Sequence, residues 1–169
     1  MQISMYHLAL TSVTRANRNL DAILDKAAAF AEARKVDPAV LLQSRLAPNM
    51  FPLVRQVQLV ADFCKGPMAR LSGMDNPRHE DVETSFPELK ARLARALEFV
   101  NSVPESAFAG AEDRDLKIPA GPDRTLEFKG IDYLIVFALP NLNFHYTTAY
   151  AILRHNGVEI GKGDYIGGA

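Results

Sequence analysis

The sequence predicts an all-α fold, an antiparallel four-helix bundle carrying one small β-hairpin inserted before the last helix. Three observations lead there: apolar residues recur at steps of three and four in four long segments, strand-like alternation is confined to two short neighbouring segments, and turn residues separate the segments. The chain has 169 residues, a length that suits one domain with a core of its own.

The first helix starts near Met5, where Leu8, Ala9, Ala16, Leu20, Ile23, Leu24, Ala27 and Ala31 form an apolar stripe and Arg15, Arg18, Asp25, Lys26 and Glu32 take other faces. Asp37-Pro38 starts a short helical turn, with Asp at the cap and Pro at the first helical position, and this turn is assigned to a connection outside the main core. The second long helix is expected over 49–71, with Pro52 in its first turn and a buried stripe of Met50, Leu53, Val57, Val60, Cys64 and Met68. Gly66-Pro67 should kink or interrupt it. Residues 72–83, with Gly73, Asn76-Pro77 and four acidic side chains, are expected to form a solvated loop.

Ser85-Phe86-Pro87-Glu88 is a capping-box pattern that opens the third helix, whose core face is Leu89, Leu93, Ala96, Leu97 and Val100 and whose end is Val103-Pro104. Polar and apolar residues alternate in Asp115-Leu116-Lys117-Ile118 and in Leu126-Glu127-Phe128-Lys129, with turn residues between them at 119–124. A two-stranded hairpin is marginal alone, so Leu116, Ile118, Leu126 and Phe128 should lie against the helices. The fourth helix is expected over 131–156, kinked at Pro140 and stopped by Asn156-Gly157, since Gly accepts the left-handed cap conformation.

Composition narrows the function. Hydrophobic residues make up 48% of the chain and charged residues 23%, with 19 Lys+Arg against 20 Asp+Glu and a net charge of −1. That balance excludes a disordered or collagen-like chain and leaves no basic footprint for nucleic acid. No segment approaches the roughly 18 consecutive apolar residues of a spanning helix; the longest, 131–142, is broken by Asp132, Pro140 and Asn141. With one cysteine, Cys64, no internal disulfide can form, and no leader-like start is seen, so the expected location is cytoplasmic.

Chemistry-bearing residues gather on the fourth helix. At 100° per residue Asn141, His145 and Thr148 share one side, with Ile152 and, more loosely, His155, beside the apolar stripe of Ala138, Leu142, Ala149 and Leu153. One reading makes this a small site between helices with His145 as ligand, base or donor. The other makes His145 a buried histidine satisfied by Asn141, Thr148 or a neighbouring helix. The tail after the helix offers a second grouping: Tyr150, Arg154, His155 and Lys162 could line a basic, aromatic edge for an anionic ligand or a partner subunit. Gly157 as a cap, Val158 as its apolar contact and Lys162 as a solvated charge explain the same residues without a ligand. His79, next to Glu80 and Asp81, is expected at the surface, His7 on a polar outer strip, and Cys64 in the core as a small hydrophobe. No His-x-x-x-His, Glu-x-x-His, Cys-x-x-Cys, nucleophile-elbow or phosphate-loop pattern occurs, so no catalytic residue is assigned.

Three phrases carry a family resemblance: Leu46-Ala47-Pro48-Asn49-Met50-Phe51-Pro52-Leu53; Phe137-Ala138-Leu139-Pro140-Asn141; and Phe144-His145-Tyr146-Thr147-Thr148-Ala149-Tyr150-Ala151-Ile152-Leu153-Arg154-His155-Asn156-Gly157-Val158-Glu159-Ile160-Gly161-Lys162. They resemble an uncharacterised bacterial family, a branch of the DinB/YfiT-like superfamily, over nearly the whole chain. The resemblance implies a DinB-like bundle and a homodimer. In metal-binding members of that superfamily one histidine on the second helix and two at i and i+4 on the fourth bind a divalent metal, commonly zinc or nickel. Here His145 is the one counterpart: Ala149 stands at i+4, and 49–71 contains no histidine. The incomplete ligand set and the neutral composition lead us to expect a dimeric bundle with no cofactor that binds a small molecule between its helices. The alternative is a degenerate metal-dependent transferase or hydrolase.

Overall fold

The computed structural model describes residues 4–121 and 123–168; Pro122 of the predicted hairpin turn lies outside the described residues. Helix α1 (Met5–Arg34) is capped by Ser4, whose side chain accepts from the His7 N–H, and it ends at Lys35 in the left-handed conformation (φ 54°). Helix α2 (Pro38–Gln43) follows its Asp37 cap. Contrary to the expectation that α2 stands outside the core, Leu41 and Leu42 are fully buried; two adjacent leucines on so short a helix need a neighbour, and α2 packs on α1 and α3.

Helix α3 (Leu53–Ser72) starts a turn later than expected, with Pro52 as its cap residue. It runs unbroken through Pro67, so the expected interruption is absent. A proline ring ordinarily clashes with the Cβ of the residue before it; that residue is Gly66, and both positions are buried in helix packing. Helix α4 (Phe86–Ser102) opens with the full capping box, Ser85 and Glu88 each bonding the other's backbone N–H. A single 3-10 turn (Glu105–Phe108), not foreseen in the sequence, then buries Phe108 edge-on to Tyr6 (centroids 5.3 Å apart).

Strands β1 (Asp115–Pro119) and β2 (Thr125–Lys129) pair antiparallel, with Leu116 opposite Phe128 and Ile118 opposite Leu126. This register puts the four apolar side chains on one face against the helical core and leaves Lys117–Glu127 (3.2 Å) and Lys129–Asp115 (2.7 Å) as ion pairs on the other. Strand β2 feeds directly into α5 (Gly130–Asp132), a π-helical turn (Tyr133–Ala138) and α6 (Leu139–His155). The kink expected at Pro140 is thus a wide turn just before it. Pro140 has no N–H to return to Val136, and the Asn141 side chain donates to the Phe137 carbonyl at 2.7 Å.

Helix α6 ends in a paired cap: the Gly157 N–H bonds Arg154 O and the Val158 N–H bonds Leu153 O, both at 3.1 Å, with Gly157 at φ 94° and Val158 buried. The tail then forms a short helix that periodicity did not reveal, α7 (Lys162–Ile166), lying on α1. Tyr165 stacks on Tyr146 at 4.2 Å, and its carbonyl accepts from Tyr146 Oη (2.7 Å) and Asn19 Nδ2 (3.0 Å). The fold is mostly helical with one hairpin before the last helices, and α3 is its centre, packed against α1, α4 and α6. No described helix is long and apolar enough to cross a membrane.

Candidate functional site

Of the polar strip on α6, only His145 reaches another helix. Its Nδ1 lies 2.8 Å from Gln56 Oε1 on α3. Gln56 is buried and its amide nitrogen donates to Phe51 O (3.2 Å), so its oxygen faces the histidine as an acceptor. Neutral His145 therefore carries its proton on Nδ1 and keeps the Nε2 lone pair. The imidazole also stacks on Phe63 (centroids 5.6 Å, planes 20° apart) and meets the edge of Phe144. Burial, with the Arg55 guanidinium second, pushes its pKa below the ordinary histidine value.

Asn141 and Thr148 turn inward on their own helix: Thr148 Oγ1 donates to Phe144 O at 2.7 Å, as Asn141 does to Phe137 O. In the tail, Tyr150 packs edge-on to Tyr165 (5.7 Å), while Arg154 and His155 in the last turn of α6 and Lys162 at the start of α7 are exposed. Cys64 is fully buried, its Sγ directed at Val13 O, and burial raises its pKa to about 12, so the thiol stays protonated.

Phe63 also faces the other way. Its ring lies 6.2 Å from that of Phe137, and both line a cleft of about 470 Å³ between α3, the loop 73–85, β1 and the π-helical turn. Lys65, Arg70, Arg78 and His79 line the same cleft. The loop is exposed over most of its length, as expected, but it is pinned at its end, where Glu83 is buried. Arg92 of α4, with no exposed surface, bonds Glu83 (3.2 Å), Asp62 (3.1 Å) and Asp81 (2.9 Å) and draws the loop down; Gln58 Nε2 donates to Glu83 at 2.9 Å. His79 accordingly is half-buried rather than at the surface, its Nδ1 enclosed with no hydrogen-bond partner among the described residues. Burial first, then Lys65, Arg92 and Arg95, lowers its pKa.

Gln56, Phe63, Arg92 and His79 are thus the site residues that sequence reasoning missed. One signal was available: Gln56 and Arg92 sit three residues after the core positions Leu53 and Leu89, where a polar side chain on an apolar face needs a partner.

Both depressed histidines make stability fall in acid. Their contribution is complete above the ordinary value of 6.5 and is lost as pH drops through the lower folded values, because the unfolded chain binds the protons first. Glu88, held down chiefly by the Thr84 N–H, and Asp164, chiefly by Lys26, act in the same direction at lower pH. Thermal melts from pH 8 to 5 should show a falling midpoint, with a shallower slope in His145→Asn; a midpoint that rises over this range would contradict the assignment.

The histidine set of the metal-binding superfamily members does not fit here. The position four residues after His145 is Ala149, and α3 offers it the amide of Gln56. Among the described residues no group of three or more His, Cys, Asp or Glu side chains converges as a metal site would require.

Comparison with known proteins agrees with the architecture. A crystal structure of a DinB family member protein from Shewanella denitrificans is 46% identical, covers 98% of this chain and 93% of its own, and superposes with a TM-score of 0.90. No curated protein matches the chain. The family model described as a domain of unknown function (DUF1993) matches residues 5–166, and the chain belongs to that family.

Proposed function

We propose that the chain is a cytoplasmic homodimer whose long helices α1, α3, α4 and α6 form an antiparallel four-helix bundle, and that it binds a small organic molecule against Phe63, between α3 and the π-helical turn that leads into α6, without a metal. The observation that carries this reading is the aromatic series Phe137–Phe63–His145, which joins a cleft of ligand size to a neutral imidazole whose Nε2 has no hydrogen-bond partner among the described residues. π-Helical turns often mark functional positions, and Phe137 stands on one. A single available imidazole nitrogen supports ligand hydrogen bonding more readily than metal-dependent transfer or hydrolysis. The dimer reading is supported by exposed apolar side chains at Val136 (61% exposed) on the π-helical turn and Phe144 (57%) on α6, and α1 with α6 is the expected interface.

The test uses a neutral aromatic probe, benzamide, followed by NMR on purified protein that light scattering and elemental analysis have characterised. Perturbation of the His145 ring and Phe63 resonances is expected, abolished by Phe63→Ala with the fold retained. The sample should have twice the 18.6 kDa chain mass and no stoichiometric zinc or nickel. Absence of binding would remove the ligand reading, a monomer would remove the dimer, and one metal per chain lost on His145→Ala would restore the metal-dependent alternative.

A further inference from the structure

The polar half of the cleft has more cations than its carboxylates can balance. Its lining holds one carboxylate, Asp62, against Lys65, Arg70 and Arg78; Asp62 already pairs with Lys65 and Arg92, and Asp81 and Glu83, outside the lining, are taken up by Arg55, Arg92 and Arg95. Arg70 and Arg78 line the cleft and make no ion pair among the described residues, while the loop's other acids, Asp75 and Glu80, are exposed and are not part of its lining. Burial first, and then Lys65, Arg92 and Arg95, depress His79.

Arg70 is held in place rather than merely present. Its Nη1 donates to Tyr133 Oη at 3.0 Å, and the guanidinium lies over that ring, 5.9 Å from its centroid. The space it occupies exists because residue 66 is glycine: a Cβ there would stand 2.6 Å from Arg70 Nη1. Lys65 is almost fully buried, with its Nζ 3.2 Å from Asp62 and 3.3 Å from Asn76 Oδ1. An arginine fixed at one nitrogen still offers an edge of parallel donors, the geometry that suits a carboxylate or phosphate.

We infer that this cleft is an anion-binding subsite, in which Arg70, supported by Lys65, Arg78 and His79, takes the carboxylate or phosphate of a small organic anion whose apolar body lies on Phe63 and Phe137. None of the four polar groups belongs to the α6 strip or the tail. The inference rests on the ligand-binding reading above and adds the ligand's charge to it.

The experiment compares benzoate and phenyl phosphate with neutral benzamide by NMR titration at low salt. Loss of a charge-assisted hydrogen bond corresponds to about ten- to a hundred-fold in affinity, so at least one anion should bind tighter than benzamide by about that factor, and Arg70→Gln should bring it to the benzamide level. Arg70→Lys provides a second test in which the charge is kept but the parallel donors are lost; it should weaken the anion and leave benzamide unchanged. Arg18→Gln, on the exposed side of α1, should change neither. Equal affinity for anions and benzamide, with Phe63→Ala still abolishing both, would overturn the anion subsite and leave the ligand-binding reading standing. Anion binding indifferent to both Arg70→Gln and Arg70→Lys would overturn the subsite as well, and no binding of any probe would overturn both.

Discussion

Arg92→Met is expected to destabilise the fold by about 3–5 kcal/mol, because it leaves the buried carboxylate of Glu83 with only the exposed Arg95, 3.7 Å away, as counter-ion. Arg92 has no exposed surface, and the side chain of Glu83, its most buried partner, is only 4% exposed. The arms to Asp62 and Asp81 contribute less, since those side chains are 33% and 43% exposed and water screens them. Methionine retains most of the buried stem, so the loss reports on the charge and its hydrogen bonds more than on a cavity. Urea denaturation should show a lower midpoint with little change in slope. The double variant Arg92→Met/Glu83→Gln should recover more than half of the loss, because the amide placed at position 83 can keep a hydrogen bond with Gln58 and no longer needs a cation. A single-variant loss under about 1 kcal/mol, the range of exposed ion pairs, would show that water reaches Glu83.

That network also explains where the sequence stops being informative. Arg92 and Glu83 look like solvent-facing residues, since charged side chains are seldom buried without partners. Their burial is decided by one another and by Asp62, 30 residues before Arg92. The His145–Gln56 bond spans 89 residues, and no local pattern relates its two ends. Local signals were readable: the Ser85–Glu88 box, the Asp37 cap, the alternation of the hairpin strands and the Asn156-Gly157 stop each depend on residues within a few positions of one another. The elements that escaped notice are short. The 3-10 turn at Phe108 and the five residues of α7 have too few turns to show a period, and each is held by a tertiary contact, Phe108 on Tyr6 and Tyr165 on Tyr146. The π-helical turn follows from a proline that was visible, but proline alone does not choose between a kink and an extra residue per turn. The α6 strip was legible as a polar edge. Which of its members reaches a neighbouring helix was not, because Asn141 and Thr148 can satisfy themselves on their own backbone and His145 cannot.

Gly130→Ala is expected to produce a loss of similar kind from a purely steric cause. The added Cβ would stand 1.8 Å from the carbonyl oxygen of Ala111 and 3.2 Å from Leu71 Cδ2. A flexible side chain could move aside, but the obstacle is backbone. Ala111 is fully buried, and the next residue, Glu112, accepts from the Ile131 N–H at 3.1 Å, so the two segments are tied together where they would collide. There is no slack on either side, since β2 ends at Lys129 and α5 begins at Gly130. The cost should be about 3 kcal/mol, at the upper end of ordinary overpacking, measured as a drop in the urea midpoint. Gly163→Ala is the matched comparison: its Cβ meets nothing within 4 Å in α7, and removing glycine from a helix should be neutral or stabilise by up to about 1 kcal/mol. Because Gly130 joins the hairpin to the π-helical turn, its replacement should also shift Ile118 and Phe137, which both line the anion cleft, and weaken benzoate binding where Gly163→Ala does not. Unchanged stability in Gly130→Ala would mean that the hairpin and the last helix are free to separate, and the cleft between them would then be too loosely built to select a ligand by charge.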